Sequence, residues 1–189
     1  MTRFIDLGHL LDGGAVTSAR FAEESKDLPL ASVAGIPGVV IDAPVPPRAV
    51  SVQIDERAVE DKAVLIRTGW DKRWGSDDYH RAAPYVAPET VDALAHGGAT
   101  LVGLDFCTAE AAPDLSQATL ARLLRAGVLV VDNLCNLSAL PTTGFRFFAV
   151  PQGVADATPL PVRAFAELLP PRETVGTARY HRSVARHAH

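Results

Sequence analysis

The chain has 189 residues, 48% of them apolar and 21% charged, and its 18 Lys and Arg against 22 Asp and Glu leave a formal charge of −4. That length supports one domain whose core removes roughly two thirds of the unfolded surface from water, so neither a disulfide nor a structural metal is required for stability. With no basic block to neutralise a phosphate backbone and no apolar run of membrane-spanning length, neither nucleic acid nor a membrane is an expected partner. The N-terminal MTRFIDLGHLL has neither the apolar stretch nor the cleavage site of a secretory signal, which reads as cytoplasmic. Cys107 and Cys135 lack the spacing of a redox or zinc motif and read as small buried hydrophobes.

In chain order, Phe4 to Leu7 and Val39 to Ile41 are short apolar runs that predict strands. Ala49 to Ile54 is a third, with Val50, Val52 and Ile54 alternating with Ser51 and Gln53. AVLIRT, from Ala63 to Thr68, has four consecutive apolar residues and so no solvated face, which predicts a central strand. Pro88 opens a helix with Val91, Leu94 and Ala95 on its inner face, stopped by Gly97 and Gly98. The strand ATLVGLD follows, then a helix from a Ser116 cap through Leu120, Leu123 and Leu124 to Gly127, then the strand VLVVDNL. FFAVPQG and PVRAFAELL read as two closing strands. The expectation is a single α/β domain over residues 1–176, with a mixed β-sheet core and flanking helices. Residues 177–189 read as a frayed tail in which His187 and His189 are solvated.

Five phrases in one order carry a resemblance: FIDLGHLL from Phe4, GVVIDAP from Gly38, VLIRTGW from Val64, LVGLDF from Leu101 and VVDNLCNLSALP from Val130. Together they resemble the cyclase superfamily that includes bacterial kynurenine formamidase, and the likeness extends to PVRAFAEL around Arg163. The resemblance implies the swivelling β/β/α fold and a homo-oligomer. It also implies a two-metal site built from HxxxHxDxxxH plus a later His and a Glu twelve residues beyond it. Imidazoles and carboxylates of that kind suit zinc or manganese, which make hydroxide near neutral pH and polarise an amide.

Carried over position by position, the pattern puts Ile36, Val40 and Pro46 where the first three histidines stand and Asp42 at the Asp. Leu120 then falls at the fourth His and Asp132 at the Glu, with the separation of twelve kept. Aliphatic side chains have no lone pair to give, so the expectation is a divergent member with no metal and no other cofactor. His9, in the DLGH phrase, and His80, after Tyr79, lack the spacing to replace four ligands. Seventeen residues separate Pro46 from Val64, and the segment between Leu11 and Ile36 is also short. Loops 12–35 and 47–63 are thus shorter than the resemblance implies.

If the implied site geometry is kept, Asp42 and Asp132 point into one apolar pocket walled by Ile36, Val40, Pro46 and Leu120. Like charges in a low-dielectric setting would then push at least one carboxyl towards its protonated form. Trp70 and Trp74 are aromatic candidates for pocket or core, and His9 and His80 for the pocket as well. Tyr79 follows the polar GSDD turn and reads as solvated, Asp105 as bonding a neighbouring loop, Arg163 as satisfying a buried carboxylate, and Thr68 as supporting backbone near the site.

The leading functional expectation is a metal-independent cyclase in which Asp42 and Asp132 act as acid and base in an aldol-type ring closure on a polyketide-type intermediate. Its partner would be an apolar or aromatic small molecule. Two alternatives stand beside it: a non-catalytic homologue that binds a small molecule or a partner subunit, and a metal-dependent amide or ester hydrolase with rearranged ligands.

Overall fold

The structure is a computed structural model, and it describes residues 2–11, 14–15, 17–21, 30–43, 48–108, 113–152 and 159–170. The expected tail from 177 lies outside these residues, as does Pro46. Strands in the first third are β1 (Arg3–Asp6), β2 (Leu10–Leu11), β3 (Gly14–Ala15), β4 (Ser18–Arg20), β5 (Ala34–Asp42) and β6 (Ala49–Val50). There follow β7 (Ala63–Arg67), β8 (Tyr85–Val86), β9 (Leu101–Leu104), β10 (Leu129–Asp132), β11 (Phe145–Pro151) and β12 (Leu160–Leu168). The helices are α1 (Glu56–Val59), α2 (Asp78–Arg81), α3 (Pro88–His96) and α4 (Pro113–Arg125).

The main sheet runs β1-β12-β11-β5-β7-β9-β10-β4, and β4 also pairs with β12. That second pairing closes β12 through β4 into a barrel. Its middle is the parallel set β5, β7, β9 and β10, whereas β11, β12 and β4 run antiparallel to their neighbours. AVLIRT is central, as its unbroken apolar run requires. One face of β7 packs into the barrel through Ala63 and Leu65, and the other meets the helices through Val64 and Ile66.

The barrel interior is filled rather than open. Ile36, Val40, Leu65, Leu101, Val131, Phe145 and Phe147 interdigitate there. Two inward glycines make the room. A Cβ on Gly38 would lie 2.0 Å from the Phe145 ring, and one on Gly103 would lie 2.5 Å from Leu65 and 2.7 Å from Leu134. Outside, Val91 and Leu94 of α3 and Leu123 of α4 cover the parallel strands. No helix among the described residues is long and apolar enough to cross a membrane.

Four local expectations are corrected. The strand predicted over Ala49 to Ile54 ends at Val50. Beyond it α3 takes over the backbone: the Val52 N–H donates to Thr90 Oγ1, and Ser51 donates to Glu89. The helix predicted from Ser116 begins at Pro113, a residue suited to the first turn because it lacks an N–H that would go unpaired there. Tyr79 is fully buried, not solvated, because its hydroxyl donates to Asn133 Oδ1 from far along the chain, at 3.0 Å. Arg163 does not meet a buried carboxylate. It pairs with Asp6 at 2.5 Å with both side chains substantially exposed, since outward positions of β12 face solvent. Both cysteines are buried, as expected.

Candidate functional site

The carboxyl ends of the parallel strands gather the polar residues. Asp42 ends β5, Arg67 ends β7, Asp105 follows β9 and Asp132 ends β10. Strand alternation then decides which of these can meet. Asp42 shares parity with Val40, an inward residue, and Asp132 shares parity with Val130, which faces the helices. The two acids therefore lie on opposite faces, three strand spacings or roughly 14 Å apart. The structure does not bring them into one pocket.

Each has its own partners instead. Asp42, with its side chain 63% exposed, accepts from Arg67 Nε at 2.5 Å and Nη2 at 2.8 Å. That fork holds its carboxyl below the usual carboxylate range, the opposite of the protonation expected for crowded acids. Arg67 Nη1 donates to the carbonyls of Leu137 (3.1 Å) and Leu140 (3.4 Å), fastening the short helical turn Leu137–Ala139 over the strand ends. Asp132 is 1% exposed. It accepts from the Ser18 hydroxyl at 2.6 Å and the Thr108 hydroxyl at 2.8 Å, and Arg20 Nη2 stands 3.3 Å away.

The apolar candidates also separate. Ile36 and Val40 are buried inside the barrel, while Leu120 sits on α4 outside it, beside Thr108 and Val130 around a void of only about 10 Å³. Trp70 is core, its indole N–H donating to the Tyr79 carbonyl at 3.0 Å. Trp74 stacks on His9 with ring centres 4.0 Å apart, and His80 meets Tyr79 edge-on at 5.0 Å. His9, Trp74 and His80 thus form one aromatic cluster around Tyr79. Burial lowers the His9 pKa, partly opposed by the charge of Asp71.

Of the residues expected to act as acid, base or pocket wall, Asp42 lines the roomy cleft at this end, a space of about 440 Å³ that also meets Arg67, Thr68, Asp71, Lys72, Asp105 and Leu137. Asp105 forms its floor. It bonds a neighbouring loop, as expected: Oδ2 accepts from the Thr68 N–H (2.8 Å) and Gly69 N–H (2.7 Å), and Oδ1 from the Thr68 hydroxyl (2.6 Å). Thr68 supports the site's backbone in the same way. The Gly69 backbone adopts φ +78, a left-handed geometry that turns both N–H groups onto one oxygen. Because these donors are all neutral and the group is fully buried, desolvation prevails and pushes the Asp105 carboxyl up to about 6. Arg67 and Lys72 have no role in the sequence reading. The available signal was a cation closing a buried strand, at Arg67, and a second one in the short helical turn Trp70–Arg73 that follows it.

The donor set here does not fit the metal centre that the resemblance implies. Positions 36 and 40 have no donor atoms, and both Asp42 oxygens are taken by Arg67. Among the described residues no group of three or more His, Cys, Asp or Glu side chains is arranged so that it could hold a metal ion.

Fold and site define an α/β barrel protein with a charged cleft at the carboxyl ends of its parallel strands. The Cyclase family model matches residues 6–111, more than half of the chain, and the chain belongs to the cyclase family. It is 31% identical over 109 residues to kynurenine formamidase of Paracidovorax citrulli, a match covering 58% of this chain and 49% of that one. The chain spans about half the length of the curated relatives it matches. Among solved structures it is similar to a potential metal-dependent hydrolase with cyclase activity, with TM-score 0.71, 18% identity, and 90% of this chain and all of that chain covered. Isatin hydrolase A from Labrenzia aggregata, bound to benzyl benzoate, gives TM-score 0.69 at 21% identity, covering 89% of this chain and 94% of that one. These two likenesses establish the fold.

Proposed function

We infer that this member of the cyclase family is a metal-independent acid–base catalyst that closes a ring on a polyketide-type, poly-β-carbonyl substrate held in the 440 Å³ cleft. The observation that carries the reading is the Thr68–Asp105 pair. A hydroxyl at the cleft is bonded at 2.6 Å to a buried carboxyl whose pKa of about 6 lets it both take and return a proton near neutrality. This moves the acid–base role expected of Asp42 and Asp132 to a group that faces the cleft through a hydroxyl.

Asp105 is too buried to touch substrate directly, so its proton traffic runs through Thr68. The Thr68 oxygen takes the α-proton as its own proton passes to Asp105. The resulting enolate carbon attacks a second carbonyl and forms the new C–C bond, and the alkoxide so made is protonated back along the same path. Loss of that hydroxyl with an adjacent proton, as water, completes the ring. Lys72 lines the same cleft and supplies positive charge to the enolate oxygen.

The test is turnover of a linear poly-β-ketone by purified protein in the presence of EDTA, with product followed by mass spectrometry. Ring closure with loss of water that survives EDTA and disappears in Thr68→Val and Asp105→Asn is the expected result. Turnover that depends on added zinc or manganese overturns it. A second reading, a non-catalytic small-molecule binder, is favoured by Asp42 and Asp132 lying on opposite faces, each with partners of its own. Ligand binding without turnover would select it.

A further inference from the structure

We propose that the Arg67 guanidinium is a carboxylate-binding fork of the cleft and that Asp42 is its resident, displaceable occupant, so that the molecule bound there carries a carboxylate. This rests on the reading of the cleft as the substrate site, and adds to it the substrate's anionic group.

The geometry is that of a ligand contact made by the protein's own side chain. Nε and Nη2 present two parallel donors to the two oxygens of Asp42, at 2.5 and 2.8 Å, the planar match a guanidinium makes with any carboxylate. The two partners are held unequally. Arg67 is 24% exposed and anchored from its other side, Nη1 donating to the Leu137 and Leu140 carbonyls, so the fork keeps its direction without Asp42. Asp42 is 63% exposed, and Arg67 is the partner that fixes it, so it can turn to water and regain hydration there. The exchange replaces one carboxylate on the fork by another, so the guanidinium keeps a bidentate partner while Asp42 gains water. Both residues line the 440 Å³ cleft, where Lys72 is a second cation and Thr68 lies beside it, and where Asp71 and Asp105 are the other two acids. A carboxylate seated on the fork would place the rest of its molecule against the Thr68 hydroxyl.

The experiment is an equilibrium titration of wild type, Asp42→Ala, Arg67→Lys and Lys72→Ala with sodium benzoate, and with benzamide as the neutral isostere, by calorimetry and amide NMR shifts. The NMR spectra also establish that each variant is folded. Benzoate should bind the wild type while benzamide does not, and Asp42→Ala should bind it about tenfold more tightly because the competing carboxylate is gone. Arg67→Lys should lose most of that affinity, and Lys72→Ala less. Equal benzoate affinity in Asp42→Ala and wild type overturns the proposal, as does equal binding of benzamide or loss through Lys72→Ala alone. These outcomes are separable from those of the ring-closure assay, because benzoate has no α-proton to lose and its binding is read at equilibrium without turnover, so the fork can hold while ring closure fails, and the reverse.

Discussion

Asp105 and Asp132 stand at the carboxyl ends of adjacent parallel strands and are buried to nearly the same depth, yet their surroundings differ in kind. Asp132 is met by two hydroxyls and the Arg20 guanidinium, on the helix-facing side, and it does not line the 440 Å³ cleft. Asp105 is met by two backbone N–H groups and one hydroxyl, all neutral, and floors that cleft. Burial does not make a carboxylate functional. What separates the two is whether a cation shares the burial and whether there is room in front for another molecule.

The largest effect is expected at Asp132. Asp132→Ala strands the half-buried Arg20 and two hydroxyls, and should lower unfolding free energy by about 3–5 kcal/mol in chemical denaturation. A loss below about 1 kcal/mol would mean that this network is not structural. At Asp105 the effect depends on pH. Its folded pKa of about 6 lies above the ordinary 3.8, so between these values the folded state binds more protons than the unfolded chain. Stability should therefore fall as pH rises from about 4 to about 6 and level off above, by up to about 3 kcal/mol in all. Asp105→Asn should remove that slope in thermal melts taken across this range.

A smaller effect is expected inside the barrel. Gly103→Ala drives a methyl to 2.5 Å from Leu65 and should cost about 1–3 kcal/mol by denaturant titration. The smallest is Arg163→Ala, which removes a pair with both members 40% or more exposed and should shift stability by less than about 1 kcal/mol. Equal losses from Arg163→Ala and Asp132→Ala would erase the distinction between exposed and buried acids on which the comparison stands.

Much of the fold was legible because local signals agreed with the final packing. The apolar run of β7, Pro88 at the start of α3, and the strands on either side of α4 are examples. The three-residue β4 was not visible: Ser18 and Arg20 are ordinary surface types, and only their pairing with β10 and β12 makes a strand. That positions 36 and 40 offer no side-chain donor atoms could be read directly, since they are isoleucine and valine. The separation of Asp42 from Asp132 could not. In strands buried on both faces, alternation does not announce which side is the barrel interior and which meets the helices. Tyr79 was misplaced for a related reason, its neighbours in sequence being polar while its partner Asn133 arrives from a distant loop. Asp105 was legible as a loop anchor, but its role as a cleft floor required the folded position of Arg67, Lys72 and the Leu137–Ala139 turn.

On the proposed mechanism Asp105 is a carboxyl that changes protonation near neutrality behind the Thr68 hydroxyl. Titration of its side-chain carbon by carbon-detected NMR, in wild type and Thr68→Val, tests this most directly. A midpoint near 6 that moves higher when the hydroxyl donor is removed is predicted. A midpoint at or below the ordinary 3.8, unmoved by Thr68→Val, would contradict it.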